Sequence, residues 1–455
     1  MRELFGTDGI RGQANRYPIT PEVALQLGKV VAHVFASSGH GSKRAVIGKD
    51  TRLSGYMLET ALTSGLVSMG MDVFLVGPVP TPGVAHLTRS MAATVGIMLT
   101  ASHNPYDDNG IKIFDHEGYK LPDEIEEQIE EHVLSGALTS EHVRSADLGK
   151  AYRVDDARGR YIEHAKGAIG SQNLRSLKIV LDCANGASYQ AGPWIMRELG
   201  AEVIKANAEP DGYNINNGCG ALHPEVIAEL VQQHGADVGI AFDGDADRVV
   251  FADAHGQVVS GDQILAMCAL DLEARGQLSH STLVVTSMSN LGLREAMARA
   301  GIQIVTTKVG DRYVIEEMRA HGYSLGGENC GHVIFQDYAT TGDGIVTALQ
   351  VLKLMRQSGK PLAELASCMT EYPSRLASYP VIAKPPLEDL SVLQDILREF
   401  GNALNGGGRT LVRYSGTEDK IRLMVEAVDT LTVETWMNRL VHALQDEGLL
   451  SEETA

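Results

Sequence analysis

The chain has 455 residues, 44% of them hydrophobic and 21% charged, with 39 Lys and Arg against 58 Asp and Glu for a net charge of −19. This length exceeds a single hydrophobic core and predicts three or four domains of roughly 100–200 residues. The acidity argues against a nucleic-acid or anionic-membrane partner. Five scattered cysteines without zinc spacing, and no apolar run of signal-peptide or membrane-span length, predict a cytoplasmic protein with free thiols.

Three segments follow one plan in chain order. Apolar strands are predicted at residues 44–48 and 71–76, with a helix near 57–68 between them. The same order recurs as strand 177–182, helix 190–199 and strand 201–205, and again as strand 282–286, helix 291–299 and strand 302–306. Each is a β-α-β unit with short connections. A third apolar strand follows in each unit, at 94–99, 237–242 and, more weakly, 323–325. These lead into TASHNP, DGDADR and GGENCGH. Ligands of open α/β sheets bind beyond the carboxyl ends of strands, so three tandem domains offering equivalent loops to one central cleft are expected.

The last segment differs. Residues 379–386 read as a proline-bearing linker or edge strand. A helix (387–400), a glycine turn (406–408), strands 409–414 and 420–427 and a helix (433–445) complete an α+β module of about 80 residues. The tail SEETA reads as frayed. The fold class is therefore α/β: three tandem α/β/α domains with mixed sheets (1–155, 156–255, 256–370) and a C-terminal α+β domain (371–455).

TASHNP places Ser102 just past a strand, exposed on a rigid edge, where a hydroxyl suits a nucleophile or phosphate acceptor. Along an extended chain His103 points away from it, and no G-x-S-x-G elbow is present. A serine and an asparagine satisfying a turn is the plainer alternative. In DGDADR, Asp243, Asp245 and Asp247 alternate and converge if the loop curls around an ion. Oxygen ligands favour Mg²⁺, Mn²⁺ or Ca²⁺ over zinc. An EF-hand is rejected, because its sixth and twelfth loop positions would be Arg248 and Ala254. A solvated acidic turn is the remaining alternative, although three crowded aspartates call for a counter-cation.

In GGENCGH, Glu328 suits two sugar hydroxyls and Asn329 offers a donor. His332 suits acid–base work, or merely orients the loop. In RYSGTE, Arg413 offers a forked phosphate donor, while Ser415, Gly416 and Thr417 form a turn that can bind an anion. FGTDGIRG supplies Arg11, NGIKIF supplies Lys112, GKDTR supplies Lys49 and Arg52, and KVGDRY supplies Lys308 and Arg312. Surface cations of this kind are often simply solvated.

Taken in order, FGTDGIRG, TASHNP, DGDADR, GGENCGH and RYSGTE resemble the α-D-phosphohexomutase superfamily over nearly the whole chain. GKDTRLSGYMLE, LDCANGA, KVGDRY and TTGDGI point to its branch acting on glucosamine phosphates. The resemblance implies four domains around a cleft and interconversion of glucosamine 6-phosphate and glucosamine 1-phosphate, toward UDP-N-acetylglucosamine. It implies a phosphate carried by Ser102 and one Mg²⁺ held by that phosphate with Asp243, Asp245 and Asp247. It also implies a hexosamine 1,6-bisphosphate as intermediate or activator. Glu328, Asn329 and Cys330 fall where the family binds sugar, and Arg413, Ser415, Gly416 and Thr417 where it binds the non-reacting phosphate. Arg11, Lys112, Arg248 and His332 match positions for charge stabilisation or proton transfer, with Lys112 or His332 as the base.

Three positions depart from the family pattern. Cys330 stands for a usual serine, Asp419 for a proline after SGTE, and Ala246 for a commoner glycine. The last is tolerated at negative φ and strained otherwise. The same motifs also suit a phosphomannomutase or phosphoglucomutase, a sugar-phosphate phosphatase, or an idle phosphosugar-binding relative. The expected partner is a small phosphosugar, and a homodimer is the oligomer considered.

Overall fold

The computed structural model describes residues 3–6, 8–36, 42–415 and 419–450. The chain divides into two compact units, residues 1–288 with 300–368, and residues 289–299 with 369–455.

The first unit carries three mixed sheets. Seven strands form the first, in the order Phe5–Gly6, Gly9–Gln13, Asp108–Phe114, Val95–Leu99, Arg44–Lys49, Asp72–Pro78 and Ala151–Arg153. The second runs Val258–Val259, Val249–Asp253, Val238–Phe242, Lys178–Asp182, Glu202–Ala206. The third runs Gln303–Thr307, Thr282–Thr286, Leu325–Gly327, Val333–Phe335. Central strands such as VGIML, VGIAF and TLVVT are buried along their whole length. Parallel strands covered on both faces need such continuous apolar runs.

One detail repeats in all three sheets. Val95–Leu99 is parallel to Arg44–Lys49 on one side and antiparallel to Asp108–Phe114 on the other. Val238–Phe242 stands likewise between Lys178–Asp182 and Val249–Asp253, and Leu325–Gly327 between Thr282–Thr286 and Val333–Phe335. TASHNP, DGDADR and the ENCGH part of the third motif are therefore bends between two hydrogen-bonded strands. Both ends of each bend are fixed by a ladder.

Helices cover the sheets. Pro21–Ala36 packs on Ser54–Ser68, where a Cβ on Gly28 would lie 2.5 Å from the Leu62 carbonyl oxygen. The two backbones cross closely, and the core beneath them includes fully buried Leu27, Leu58, Leu62 and Leu66. Each such leucine contributes roughly 1.5–3 kcal/mol by leaving water. Among the described residues no helix is long and apolar enough to cross a membrane.

The second unit holds an antiparallel sheet in the order Ser374–Pro380, Lys420–Ala427, Gly408–Tyr414, with helices Ser391–Leu404 and Thr430–Asp446. Phe400 and Trp436 meet edge to face at 5.2 Å within its core. Its edge strand lies upstream of the predicted 379–386. SRLASYP alternates exposed and half-buried residues without an apolar run, so only its proline-bearing end drew notice. Helix Leu291–Arg299 has the predicted bounds but groups with this unit. Asn290, just before it, accepts the Tyr372 N–H at 3.0 Å and donates to the Tyr372 carbonyl at 2.9 Å. SEETA lies outside the described residues.

Candidate active site

The serine bend is tightly curled. Ser102 adopts φ +52°, a left-handed conformation costing a non-glycine residue roughly 1–2 kcal/mol. Its N–H donates to Thr100 Oγ1 at 2.8 Å, and its Oγ donates to Asp243 Oδ2 at 2.8 Å. Two expectations are corrected here. Ser102 is fully buried in this state and not exposed. The curl also brings His103 Nδ1 to 3.3 Å from Ser102 Oγ, because the chain is not extended there. Burial, with Arg248 and Arg11 nearby, lowers the His103 pKa to about 4, so this imidazole is neutral.

The aspartate bend closes on itself. Asp243, Asp245 and Asp247 are buried, with one oxygen from each lying within 4.8 Å of the others. Ala246 sits at φ +58° with its Cβ buried, so this departure from glycine is a strained one. Gly244 faces the serine bend, where a Cβ would meet the Ser102 carbonyl oxygen at 2.5 Å. Thr81 donates through Oγ1 to Asp245 Oδ2 at 2.6 Å. Among the described residues, Asp245 Oδ1 and Asp247 Oδ1 are buried without a hydrogen-bond partner. Three clustered carboxylates, two of them with an orphaned oxygen, suit a hard divalent cation, so the donor set fits the expected metal.

Lys112 now answers part of this negative charge. Its Nζ, 2% exposed, lies 2.9 Å from Asp245, 3.1 Å from Asp247 and 3.2 Å from Asp8. Burial opposes its charge, but the carboxylates outweigh burial and hold the amine well above its ordinary pKa. From there a ring of alternating charge continues. Asp247 is 3.8 Å from His332 Nδ1, and His332 Nε2 is 3.4 Å from Asp311. Asp311 pairs with Lys120, which pairs with Asp8, which returns to Lys112. All three sheets contribute. Burial alone would raise the pKa values of Asp8, Asp247 and Asp311, yet the surrounding cations hold all three below the ordinary range. Burial opposes a charge on His332, but Asp247, Asp311 and Glu328 raise its pKa. Its Nε2 accepts the Gly342 N–H at 3.0 Å when neutral, and faces Asp311 as a donor when protonated.

Asp8, Lys120 and Asp311 were missed by sequence reasoning, although Asp8 and Asp311 lie inside motifs already singled out. In KVGDRY the acid reaches the ring. Arg312 instead pairs with Asp123 and Glu126, and Lys308 lies over the Tyr313 ring. Nor are Lys49 and Arg52 open cations. Lys49 is bound to Glu59 at 2.6 Å, and fully buried Arg52 spends its donors on Asp50 and on backbone carbonyls of the serine bend.

Arg11 pairs with Asp8. Among the described residues the buried Nε of Arg248 has no hydrogen-bond partner, and it lies 3.9 Å from Asp247. Nearby anions raise its pKa further against the effect of burial. Glu328 is buried, its pKa raised by that burial, and accepts the Gly310 N–H at 3.3 Å. Asn329 and Cys330 are exposed beside it. In the second unit, Arg413 stands directly opposite Arg422 across the strand pair. Burial and that like charge lower its pKa. Ser415 is buried, its N–H donating to the Lys420 carbonyl at 2.8 Å. Asp419, in the proline position, pairs with Lys384 at 3.1 Å. Gly416 and Thr417 lie outside the described residues.

Three α/β sheets that bring a serine hydroxyl, a carboxylate trio and facing cations together define a phosphoryl-transfer scaffold. The chain belongs to the phosphoglucomutase/phosphomannomutase family: models of its α/β/α domains I, II and III match residues 2–139, 159–256 and 260–372, and that of its C-terminal domain residues 381–443. It is 51% identical over 439 residues to a phosphoglucosamine mutase of Citrifermentans bemidjiense, covering 96% of each chain. It is 50% identical over 444 residues to that of Myxococcus xanthus, covering 97% of each. A phosphoglucomutase/phosphomannomutase family protein of Burkholderia thailandensis has the same fold, with a TM-score of 0.81 at 24% identity over 97% of both chains. So has the N-acetylphosphoglucosamine mutase of Aspergillus fumigatus, solved with GlcNAc-6P and magnesium, with a TM-score of 0.66 at 18% identity over 98% of this chain and 96% of that one.

Proposed function

We propose that the chain interconverts glucosamine 6-phosphate and glucosamine 1-phosphate, feeding the synthesis of UDP-N-acetylglucosamine, with Ser102 as the phosphate carrier. The observation that carries this reading is the Ser102 hydroxyl 2.8 Å from Asp243, beside two orphaned carboxylate oxygens. The relatives near 50% identity over nearly their full length support the choice of sugar.

Asp243, Asp245 and Asp247 would hold one Mg²⁺, which supplies neutralisation of phosphate charge. Phosphoryl transfer needs mainly positioning and such neutralisation. Phosphorylated Ser102 passes its phosphoryl group to a sugar hydroxyl: the bond from phosphorus to Ser102 Oγ breaks and one to the sugar oxygen forms. The product is glucosamine 1,6-bisphosphate. It turns over, and its other phosphoryl group returns to Ser102. Arg248, with its unpartnered Nε, and Arg11 offer guanidinium charge to the moving group. Lys112, held protonated by its carboxylates, acts as a fixed cation. Of the two candidate bases this leaves His332, whose neutral imidazole receives the proton of the attacking hydroxyl. Glu328 holds sugar hydroxyls, with Asn329 and Cys330 at the rim. Arg413, Ser415, Gly416 and Thr417 hold the phosphate that does not react.

Intact mass and steady-state rates test the proposal. Protein treated with glucose 1,6-bisphosphate gains about 80 Da, the mass of one phosphoryl group, and Ser102→Ala protein gains nothing and has no mutase activity. A Ser102→Ala enzyme of near-normal activity refutes the carrier role. Faster turnover of mannose or glucose phosphates refutes the sugar assignment, and phosphate release without bisphosphate marks a phosphatase.

A further inference from the structure

The backbone of the serine bend is held from two sides. The carbonyl oxygens of Ser102 and Asn104 each accept two side-chain N–H groups. Arg52 Nη2 reaches them at 3.1 and 2.8 Å, and Asn216 Nδ2 at 2.9 and 3.0 Å. Arg52 comes from the first sheet's own unit of strands, and Asn216 from the long loop after the strand Glu202–Ala206 of the second.

Neither side chain is free to do otherwise. Arg52 is fully buried and fixed by Asp50, which accepts its Nε–H and its backbone N–H, each at 2.9 Å. Its Nη1 continues along the bend to the carbonyls of Pro105 and Asp108. Asn216 is itself left-handed, at φ +57°, and its N–H donates to the Ala184 carbonyl at 2.9 Å. On the other side, a Cβ on Gly244 would lie 2.5 Å from the Ser102 oxygen and 2.8 Å from Asn216 Nδ2. The three groups leave the Ser102 peptide one orientation.

That orientation decides where Oγ points. A left-handed serine is a disfavoured conformation, and the four donated bonds offset its cost; with two of them lost the curl is only weakly held. Resting on the phosphate-carrier reading of Ser102, we propose that Arg52 and Asn216 are positioning residues for phosphoryl transfer: a two-sided carbonyl clamp that locks the serine bend to the loop of the second sheet and aims Oγ at the carboxylate trio. Asn216 is the more informative half, because it fixes the first sheet's nucleophile in the frame of the second sheet's metal loop.

The test uses full-length Asn216→Gly, in which glycine keeps the left-handed backbone accessible and only the amide donors are lost, together with Arg52→Lys. Displacement of a reacting atom by about 1 Å costs on the order of 100-fold in rate. Asn216→Gly is expected to lose about 10- to 100-fold in kcat for glucosamine 6-phosphate, with KM, Mn²⁺ affinity and melting temperature close to those of the parent. Its Ser102 still gains a phosphoryl group from glucose 1,6-bisphosphate, but more slowly. Arg52→Lys shows the same split between kcat and KM. A kcat within twofold of the parent overturns the clamp. So does a parallel collapse of kcat, KM, Mn²⁺ affinity and melting temperature, which marks a purely structural role. A parent enzyme that never gains phosphate at Ser102 overturns the carrier reading instead, whatever Asn216→Gly does.

Discussion

Replacing Lys112 by methionine keeps the length of the side chain and removes its charge. In the structure this ammonium is 2% exposed and lies within 3.2 Å of Asp8, Asp245 and Asp247. Taking one partner from a buried ion pair costs about 3–5 kcal/mol, because the remaining charges are left uncompensated. Cooperative units of 150–250 residues lose about 2–4 °C in Tm per kcal/mol, and larger ones less. The unit that holds Lys112 is larger than this and loses about 1.3 °C per kcal/mol, so in the presence of a chelator Lys112→Met is expected to melt about 4–7 °C below the parent. A divalent cation at the trio offsets the same negative charge. At 100 times Kd a ligand stabilises by about 2.7 kcal/mol, and the variant, with more charge to neutralise, should gain more from saturating Mg²⁺ than the parent does. Thermal melts followed by circular dichroism, in EDTA and in Mg²⁺, measure both quantities. A deficit under 2 °C in EDTA, or an equal Mg²⁺ increment in both proteins, would refute the view that Lys112 and the metal answer the same carboxylates.

Two further predictions concern stability. Ala246→Gly relieves a left-handed backbone worth roughly 1–2 kcal/mol, but loses a buried methyl of about 0.8 kcal/mol and stiffens the unfolded chain less by about 0.4–1 kcal/mol. The sum is near zero, so its denaturation midpoint should match the parent's, whereas Ala246→Val, branched at φ +58°, should lose at least about 2 kcal/mol. The second concerns His86, stacked on His164 at 3.8 Å, with a pKa lowered to about 4 by burial, His164 and Arg89. The folded state resists its protonation, so stability is full above pH 6.5 and falls as pH drops toward 4. After allowance for the ring's partial exposure the loss is about 2 kcal/mol. Urea unfolding at pH 7 and pH 4.5 should show a smaller difference in His86→Phe, and an unchanged difference counts against the assignment.

The strands that carry the site were legible because parallel strands buried on both faces leave continuous apolar runs; Thr282–Thr286 and Lys420–Ala427 have the predicted bounds. Of the antiparallel partner strands Val333–Phe335 was not seen, since it is only three residues long and follows its motif at once. Ser102 and the aspartate trio stood out because their chemistry is written in adjacent letters. The ring through Asp8, Lys120 and Asp311 did not, for Asp8 and Asp311 are 303 positions apart and each of the three is an ordinary charged residue in its local context. The role of Arg52 was left open for a related reason. A buried arginine bound to carbonyls and one that binds phosphate look the same in a sequence. The backbone sign at Ser102 and Ala246, which decides whether each residue is strained, has no signature in residue type at all.

The bends that bear the chemistry are each short-range, yet the bond from Ser102 to Asp243 spans 141 positions of chain. No single sheet, however well formed, owns a working centre. During refolding, far-ultraviolet signal should therefore recover before tight Mn²⁺ capture, since the aspartate bend meets its partners Ser102 and Lys112 only once the first sheet has docked on the second. Cation uptake would then serve as a clock for the last assembly step, visible without any substrate.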